Sequence, residues 1–163
     1  MSKPRQVRGL LKAELRPTGP FADKRKLKGR AAEGIRFQKR VHQRLTALGK
    51  FGDLHEGPWI RYTDTYGVHW CQPDSLVETN DRVLIVEAKL SLMRLDQAKA
   101  QLSKLYQPVV EIIFDKPAVL LVAFNNWIRL VDGKEPIETV DNPLALLQRP
   151  LRSLKAPLGW HVM

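Results

Sequence analysis

Two acidic residues and a lysine have the types and spacing needed for metal chemistry. Asp74 follows a proline, and Glu87 and Lys89 lie two positions apart near the end of the apolar run VLIVEAKL (residues 83–90). Carboxylate oxygens are the ligands that hard cations such as Mg²⁺ prefer. A metal-bound water next to a positive group can attack a phosphodiester bond. The three residues therefore suit phosphodiester hydrolysis, provided that the fold brings them together.

The segment around these residues is predicted to form a β-hairpin. Asn80 and Asp81 separate two strand-like runs, and Asn is a favoured first residue of a two-residue hairpin loop. With that loop, the numbers of cross-strand partners sum to 161. Asp74 then faces Glu87 with Cβ atoms roughly 5 Å apart. Lys89 lies on the same face of the strand, two residues further on.

Two carboxylates that face each other repel, and a cation between them removes the repulsion. The alternative interpretation is a surface ion pair between Glu87 and Lys89, worth about 0–1 kcal/mol, with Asp74 as a simple strand-start residue. Apolar residues occupy both faces of residues 83–90, and a strand that is apolar on both faces is usually buried. Burial favours the site over the surface pair.

Hydrophobic periodicity predicts the elements that must position this hairpin. Residues 30–48 show one apolar stripe at helical spacing, and Gly49 follows as a helix stop. The other predicted elements are one or two strands in 58–71, a helix over 92–106, strands at 118–124 and 127–131, and a short helix at 143–148. This mixture is typical of an α/β or α+β protein, and 163 residues are enough for one domain with a hydrophobic core.

The positive charge is concentrated at the start of the chain. Residues 1–45 hold 14 of the 27 Lys and Arg but only three of the 17 Asp and Glu. Such a basic segment indicates a nucleic-acid partner, because phosphate contacts release counterions. The alternatives are a solubilising arm or one that binds an acidic protein. The predicted phosphate-binding residues are Lys24, Arg25, Lys26, Lys28 and Arg30.

Composition also suggests a division of the chain and a compartment. Residues 1–29 are expected to be a flexible basic arm, residues 30–131 a core, and residues 132–163 an extension packed on that core. No apolar run approaches the roughly 18 residues of a membrane span, and no secretory leader is evident. The single cysteine, Cys71, forms no internal disulfide, so a reducing, cytoplasmic location is expected, without a membrane partner.

Pro73-Asp74 followed by Glu87-Ala88-Lys89 resembles the signature of the PD-(D/E)XK nuclease superfamily, with its RecB-like and Holliday junction resolvase-like members. The resemblance implies a restriction-endonuclease-like αβββαβ core, in which helices flank a mixed central sheet. It also implies Mg²⁺, with Mn²⁺ as a substitute, held by both carboxylates and by the backbone carbonyl of Ala88. Lys89 would then assist the attacking water.

The same resemblance implies further site residues on the flanking helices. Many members have a glutamate or glutamine on the first helix, and Gln38 or Glu33 matches it here. RecB-type members have a glutamine and a tyrosine on the helix after the lysine. Gln101 and Tyr106 resemble them at a spacing one residue longer, with Gln97 as a substitute. The alternatives are a satisfied buried amide for Gln38 and a core aromatic for Tyr106.

The leading hypothesis is therefore a Mg²⁺-dependent deoxyribonuclease of DNA recombination or repair, acting as a homodimer or within a larger DNA-processing complex. A catalytically inactive nucleic-acid-binding or assembly protein that keeps this fold is the alternative. Four aromatic residues, Trp59, Tyr62, Tyr66 and Trp70, either pack in the core or stack on unpaired bases. The sequence leaves open endonucleolytic or exonucleolytic cutting and the preferred DNA structure.

Overall fold

The computed structural model describes residues 5–20, 30–91, 94–126, 137–154 and 156–162. Its helices are α1 (Arg30–Thr46), α2 (Leu95–Ala100), α3 (Gln107–Phe114) and α4 (Leu144–Gln148). Its strands are β1 (Lys12–Arg16), β2 (Asp53–Glu56), β3 (Trp59–Asp64), β4 (Gly67–Cys71), β5 (Ser75–Glu78), β6 (Val83–Ser91), β7 (Ala118–Asn126), β8 (Thr139–Val140) and β9 (Leu158–His161). The predicted helices at 30–48 and 143–148, the two strands in 58–71 and the strand at 118–124 are confirmed.

The larger sheet has six strands in the order β2-β5-β6-β7-β9-β8. The pairs β2–β5 and β5–β6 are antiparallel, and the pairs β6–β7, β7–β9 and β9–β8 are parallel. Apart from β3 and β4, which belong to a second sheet, the chain passes through α1, β2, β5, β6, α2–α3 and β7 in turn, which is the αβββαβ order. An α/β fold with a mixed central sheet between helices is therefore confirmed.

The central strand β6 is buried on both faces because helices cover both. Its even-numbered side, with Leu84 and Val86, packs in one apolar cluster with Phe37 of α1. Its odd-numbered side, with Ile85, packs in the other cluster with Leu102 from the helical segment after the hairpin. A charged residue on β6 must therefore lie in a dry environment unless it is close to an end of the strand.

The helix predicted at 92–106 extends to Phe114, so the predicted end is wrong. A π-helical turn, Gln101–Tyr106, joins α2 to α3, and Pro108 lies just beyond it. Proline has no N–H to donate to the carbonyl of Lys104, four residues earlier. The N–H of Val7 donates to that carbonyl instead, at 3.1 Å. The helix therefore continues past the proline, and the N-terminal segment is attached to it.

A second, three-stranded antiparallel sheet has the order β1-β3-β4. Ile60 and Tyr62 of β3 are buried in the same cluster as the helical segment, and the residues that alternate with them, Trp59, Arg61 and Thr63, are less buried and face outward. Gly67 starts β4 at φ +115°, a conformation that glycine tolerates best. Strand β1 lies within the segment expected to be a flexible arm, so at least residues 12–16 of that arm are ordered by pairing with β3.

The division of the chain at residues 29 and 131 stays a prediction, because both positions lie outside the described residues. Strand β9 adds to the central sheet beside β7, so residues 158–161 belong to the sheet itself. The strand predicted at 127–131 and the basic run Lys24–Lys28 also lie outside the described residues, while Arg30 is the first residue of α1. In the described part of the chain, no helix is long and apolar enough to cross a membrane.

Candidate active site

The hairpin of β5 and β6 has the predicted register. Partner numbers sum to 161 along the whole ladder, from the pair nearest the two-residue loop to Ser75 and Val86. Asp74 immediately precedes β5, so the next step of the same register places it beside Glu87. The structure therefore brings together the two carboxyl groups that the loop geometry pairs.

Short contacts link both carboxyl groups to the Glu-Ala-Lys triplet of β6. Asp74 Oδ2 accepts a hydrogen bond from the backbone N–H of Ala88 at 2.7 Å. Lys89 Nζ lies 3.2 Å from Glu87 Oε1. Glu87 is only 4% exposed, and the side chain of Lys89 is 17% exposed. The surface ion-pair interpretation is therefore wrong, because these charges lie mostly out of water.

Burial controls the protonation of the pair. Burial and, after it, the nearby charge of Asp74 raise the pKa of Glu87 to about 8. Burial also raises the pKa of Asp74, while the Ala88 N–H and the Lys89 ammonium oppose that rise. Ionisation of both carboxyl groups is therefore unfavourable near neutral pH unless a cation compensates the charge.

The oxygen atoms available here fit a Mg²⁺ ion that keeps part of its water shell. Glu87 Oε2 is buried and has no hydrogen-bond partner. The carbonyl of Ala88 is expected to point towards Asp74, because the N–H and C=O of one strand residue point to the same side. The described residues contain no group of three or more His, Cys, Asp or Glu placed to hold a metal. Magnesium is commonly bound by one or two carboxylates together with waters and substrate phosphate, so two carboxylates suffice.

Tyr106 lies at the end of the π-helical turn, close to both carboxyl groups. Burial raises its pKa, and the charges of Glu87 and then Asp74 raise it further. Its hydroxyl donates a hydrogen bond to the backbone carbonyl of Gln72 at 3.3 Å. Tyr106 is also part of the apolar cluster, so the core-aromatic interpretation and a position beside the site both hold.

Gln101, the other residue expected on this helix, lies at the start of the π-helical turn. Its Oε1 atom is buried without a hydrogen-bond partner, and the same is true of Gln97, its predicted substitute. Neither amide has a described contact with the carboxyl pair. Gln101 and Tyr106 are five residues apart, one more than the four that separate neighbouring residues on one side of an α-helix. A π-helical turn repeats every five residues, so it fits their longer sequence spacing.

A cleft of about 340 Å³ opens beside the hairpin. Its lining consists of Ile35, Gln38 and Lys39 from α1, Glu56 at the end of β2 with Gly57 after it, and Gln72, Pro73 and Asp74 before β5. Gln38 is exposed and lines the cleft together with Asp74, so the buried-amide interpretation is wrong. Glu33 is exposed in the first turn of α1 and does not line the cleft. Glu87 and Lys89 do not line it either.

Sequence analysis missed two further residues: Glu56, which lines the cleft, and His42, which contacts Glu56. His42 Nδ1 lies 3.4 Å from Ser75 Oγ, and its Nε2 lies 3.4 Å from Glu56 Oε2. The available signal was helical spacing, because His42 follows Gln38 by four residues and shares its side of α1. The position of Glu56 depends on the pairing of β2 with β5, which no local sequence pattern indicated.

Comparisons with known proteins give only a distant likeness. No family model matches the sequence, and no curated protein matches it. Two solved structures resemble the fold. The small subunit of the heterodimeric restriction endonuclease R.BspD6I is 18% identical, with a TM-score of 0.37, over 56% of this chain and 50% of that one. Protein VC1899 from Vibrio cholerae is 14% identical, with a TM-score of 0.36, over 76% of this chain and 28% of that one.

The chain thus spans half or less of the length of both solved structures. Both TM-scores lie below 0.5 and both identities below 20%, so neither likeness bears on function. The functional argument rests on the geometry of the site.

Proposed function

We propose that this protein is a Mg²⁺-dependent nuclease that hydrolyses phosphodiester bonds in DNA. One observation carries the proposal: the buried carboxyl group of Glu87, with an oxygen that lacks a partner, lies beside a second carboxyl group and a lysine. A buried, incompletely satisfied acid costs stability, and such groups are concentrated at functional sites.

Each residue of the site has a role that follows from its position. Asp74 and Glu87 would hold the metal, and the carbonyl of Ala88 would complete the protein ligands. Bound Mg²⁺ supplies a polarised water and offsets the charge of the phosphate. Lys89, whose Nζ lies 3.2 Å from Glu87 Oε1, would orient that water or stabilise negative charge on the phosphate.

Residues at the cleft would position the substrate. Gln38 presents its exposed amide beside Asp74, and Lys39 adds a positive charge to the same lining. Glu33 stays the alternative to Gln38. Tyr106 fixes the backbone of Gln72, which also lines the cleft.

The remaining roles belong to residues further from the cleft. Gln101 would offer its buried amide on the helix side of the site. Lys24, Arg25, Lys26, Lys28 and Arg30 would contact phosphates independently of sequence. Participation in DNA recombination or repair, assembly as a homodimer or within a larger complex, and a cytoplasmic location all stay predictions.

A second candidate function is a catalytically inactive nucleic-acid-binding or assembly protein. It is favoured by one observation, that Glu87 and Lys89 pair with each other and do not line the cleft. Such a protein would bind DNA in a salt-sensitive manner without metal-dependent turnover.

A cleavage assay distinguishes the two functions. The parent and the variants Asp74→Ala, Glu87→Ala and Lys89→Ala are incubated with linear, nicked, branched and single-stranded DNA in Mg²⁺ or Mn²⁺. We expect cleavage by the parent and a loss of about 100-fold or more in each variant. Glu78→Ala, at the other end of the same hairpin, is the matched control and should cut at nearly the parental rate. Activity that survives all three substitutions would overturn the proposal.

A further inference from the structure

The three-stranded sheet turns one face away from the core. Because side chains alternate along a strand, the face opposite Ile60 and Tyr62 carries its own set of residues. Cross-strand pairing places six of them side by side: Lys12, Arg16, Trp59, Arg61, Val68 and Trp70. These six residues define the outward face.

The two tryptophans of the outward face lie outside both apolar clusters. Their rings meet edge to face, with centroids 6.4 Å apart and planes at 81°. The backbone of Gly19 packs against the Trp59 indole, and both indoles are partly exposed. Val68, two residues before Trp70 on the same strand, is 50% exposed. Large apolar groups therefore lie at the surface, where they can contact a ligand.

Positive charge surrounds these rings. Arg61 pairs across the strands with Trp70, and Arg16 pairs with Trp59. Glu14 is an acidic residue on the same side of the sheet. Its Oε1 atom lies 3.8 Å from Nη1 of Arg16 and 3.7 Å from Nη1 of Arg61. With Lys12, three cations and one anion leave a net charge of +2. Aromatic rings among cations suit a ligand with flat apolar groups on an anionic backbone.

The outward face is continuous with the cleft beside the carboxyl pair. Trp59 follows Gly57 by two residues, and Trp70 precedes Gln72 by two. Gly57 and Gln72 both line the cleft, and Gln72 Nε2 donates a hydrogen bond to the Gly57 carbonyl at 2.8 Å. Both ends of the β3–β4 hairpin are therefore connected to residues that line the cleft.

A second hollow extends this connection towards β1. It has a volume of about 330 Å³, and its lining includes Glu56 and Arg16. Glu56 also lines the first cleft, while Arg16 belongs to the outward face. A concave surface thus runs from Asp74, past Glu56, to Arg16.

We propose that the outward face binds single-stranded DNA that leads into the cleft. Bases stack on Trp70 and on the accessible part of Trp59, while Arg61, Arg16 and Lys12 contact the phosphates. Bases within a duplex are stacked and paired, so their faces cannot reach the indoles. This inference rests on the proposed function in one respect, that the bound strand is the strand to be cut. The preferred substrate then has an unpaired segment next to the scissile phosphate.

The test measures binding of a labelled oligothymidine by fluorescence anisotropy, in the Glu87→Gln background to prevent cleavage. Trp70→Ala should weaken binding by about 5- to 150-fold, the range found for loss of one base–aromatic stack. Trp70→Phe, which keeps a ring and protects against misfolding, should lose much less. Phe51→Ala is the matched control, because Phe51 is 41% exposed but lies away from the outward face.

Salt dependence tests the charged part of the surface. The logarithm of the affinity falls linearly with the logarithm of the salt concentration. Arg61→Gln should make this fall less steep by about 0.7, the value for one phosphate contact to a single strand. Lys50→Gln, beside the control residue Phe51, should leave the slope unchanged. Glu14→Gln removes the negative charge from this side and should strengthen binding. Stacking should also quench tryptophan fluorescence in the parent and less so in Trp70→Phe.

The outcomes separate this inference from the proposed function. If a folded Trp70→Ala variant binds oligothymidine as tightly as its parent, the outward face is not the binding surface, whatever the cleavage assay shows. The same holds if duplex DNA binds as tightly as the single strand and depends equally on Trp70. If Trp70→Ala weakens single-strand binding but no cleavage occurs in Mg²⁺ or Mn²⁺, the surface stands and the nuclease proposal fails.

Discussion

Each of the two sheets buries one carboxyl group, and the two groups differ in their partners. Asp64 of β3 is 3% exposed and Glu87 of β6 is 4% exposed. Asp64 Oδ1 lies 2.8 Å from the N–H of Tyr66 and 3.0 Å from His69 Nε2. Glu87 instead has one oxygen paired with a lysine and one with no partner. A full set of partners is typical of an acid that holds the fold together, whereas a vacant oxygen indicates a place for a ligand.

The two groups also respond differently to burial. Burial by itself raises the pKa of Asp64, but the N–H donors of Tyr66 and Arg8 and the His69 ring outweigh it, and the pKa is lowered. For Glu87, burial and the charge of Asp74 together raise the pKa to about 8. Burial alone therefore does not determine the charge state of a carboxyl group. The donors around it do.

The largest expected effect is a difference in stability between two matched substitutions. Asp64→Asn removes the charge that its hydrogen-bond donors stabilise and should lower the melting temperature by about 2–4 °C. Glu87→Gln removes an unfavourable buried charge, so in metal-free buffer at pH 8 the melting temperature should stay equal or rise. Thermal unfolding followed by circular dichroism measures both. Equal losses in the two variants would contradict the distinction between a structural acid and a site acid.

A smaller effect is expected in the pH dependence of stability without metal. The folded pKa of Asp64 is lowered, so its contribution is present above its unfolded pKa and lost as pH falls. The folded pKa of Glu87 is raised, so its contribution to stability is present below its ordinary pKa of 4.5 and lost as pH rises to about 8. Chemical unfolding in chelator across this range should show stability declining towards pH 8. Glu87→Gln should flatten that decline, and Asp64→Asn should not; a decline that persists in Glu87→Gln would count against the assignment.

The hairpin at the site could be predicted because its determinants are local. A two-residue loop at Asn80 and Asp81 and the alternation of side chains fix the register, and with it the meeting of Asp74 and Glu87. Apolar residues on both faces of β6 also indicated its burial correctly. The chemistry of this site therefore follows from a short piece of sequence.

The parts that could not be predicted depend on contacts between distant segments. Strand β1, with the sequence KAELR, has only two apolar residues at alternating positions, too few to indicate a strand, and it is ordered by pairing with β3. The helix continues past Pro108 because Val7, about a hundred positions earlier, satisfies a freed carbonyl. Arg8, from that same segment, donates to Asp64. No local pattern contains these partners.

The sequence also did not predict which residues of α1 face the cleft. Periodicity placed Gln38 at the margin of the apolar stripe and could not decide between a buried amide and an exposed one. The structure exposes it, because the cleft opens between α1 and the segments before β5. Glu56 lines the same cleft through a strand pairing that the sequence did not indicate, and His42 of α1 contacts it there.

Direct titration with Mn²⁺, followed by electron paramagnetic resonance, tests the central claim, that Asp74 and Glu87 form a divalent-metal site. An oligothymidine is included to supply phosphate ligands. The parent should bind Mn²⁺ at a saturable site, more tightly as pH rises towards 8 because Glu87 must lose its proton. Asp74→Asn and Glu87→Gln should abolish this site, and Asp64→Asn should retain it. Absence of saturable binding in the parent, or binding that Glu87→Gln leaves unchanged, would contradict the account.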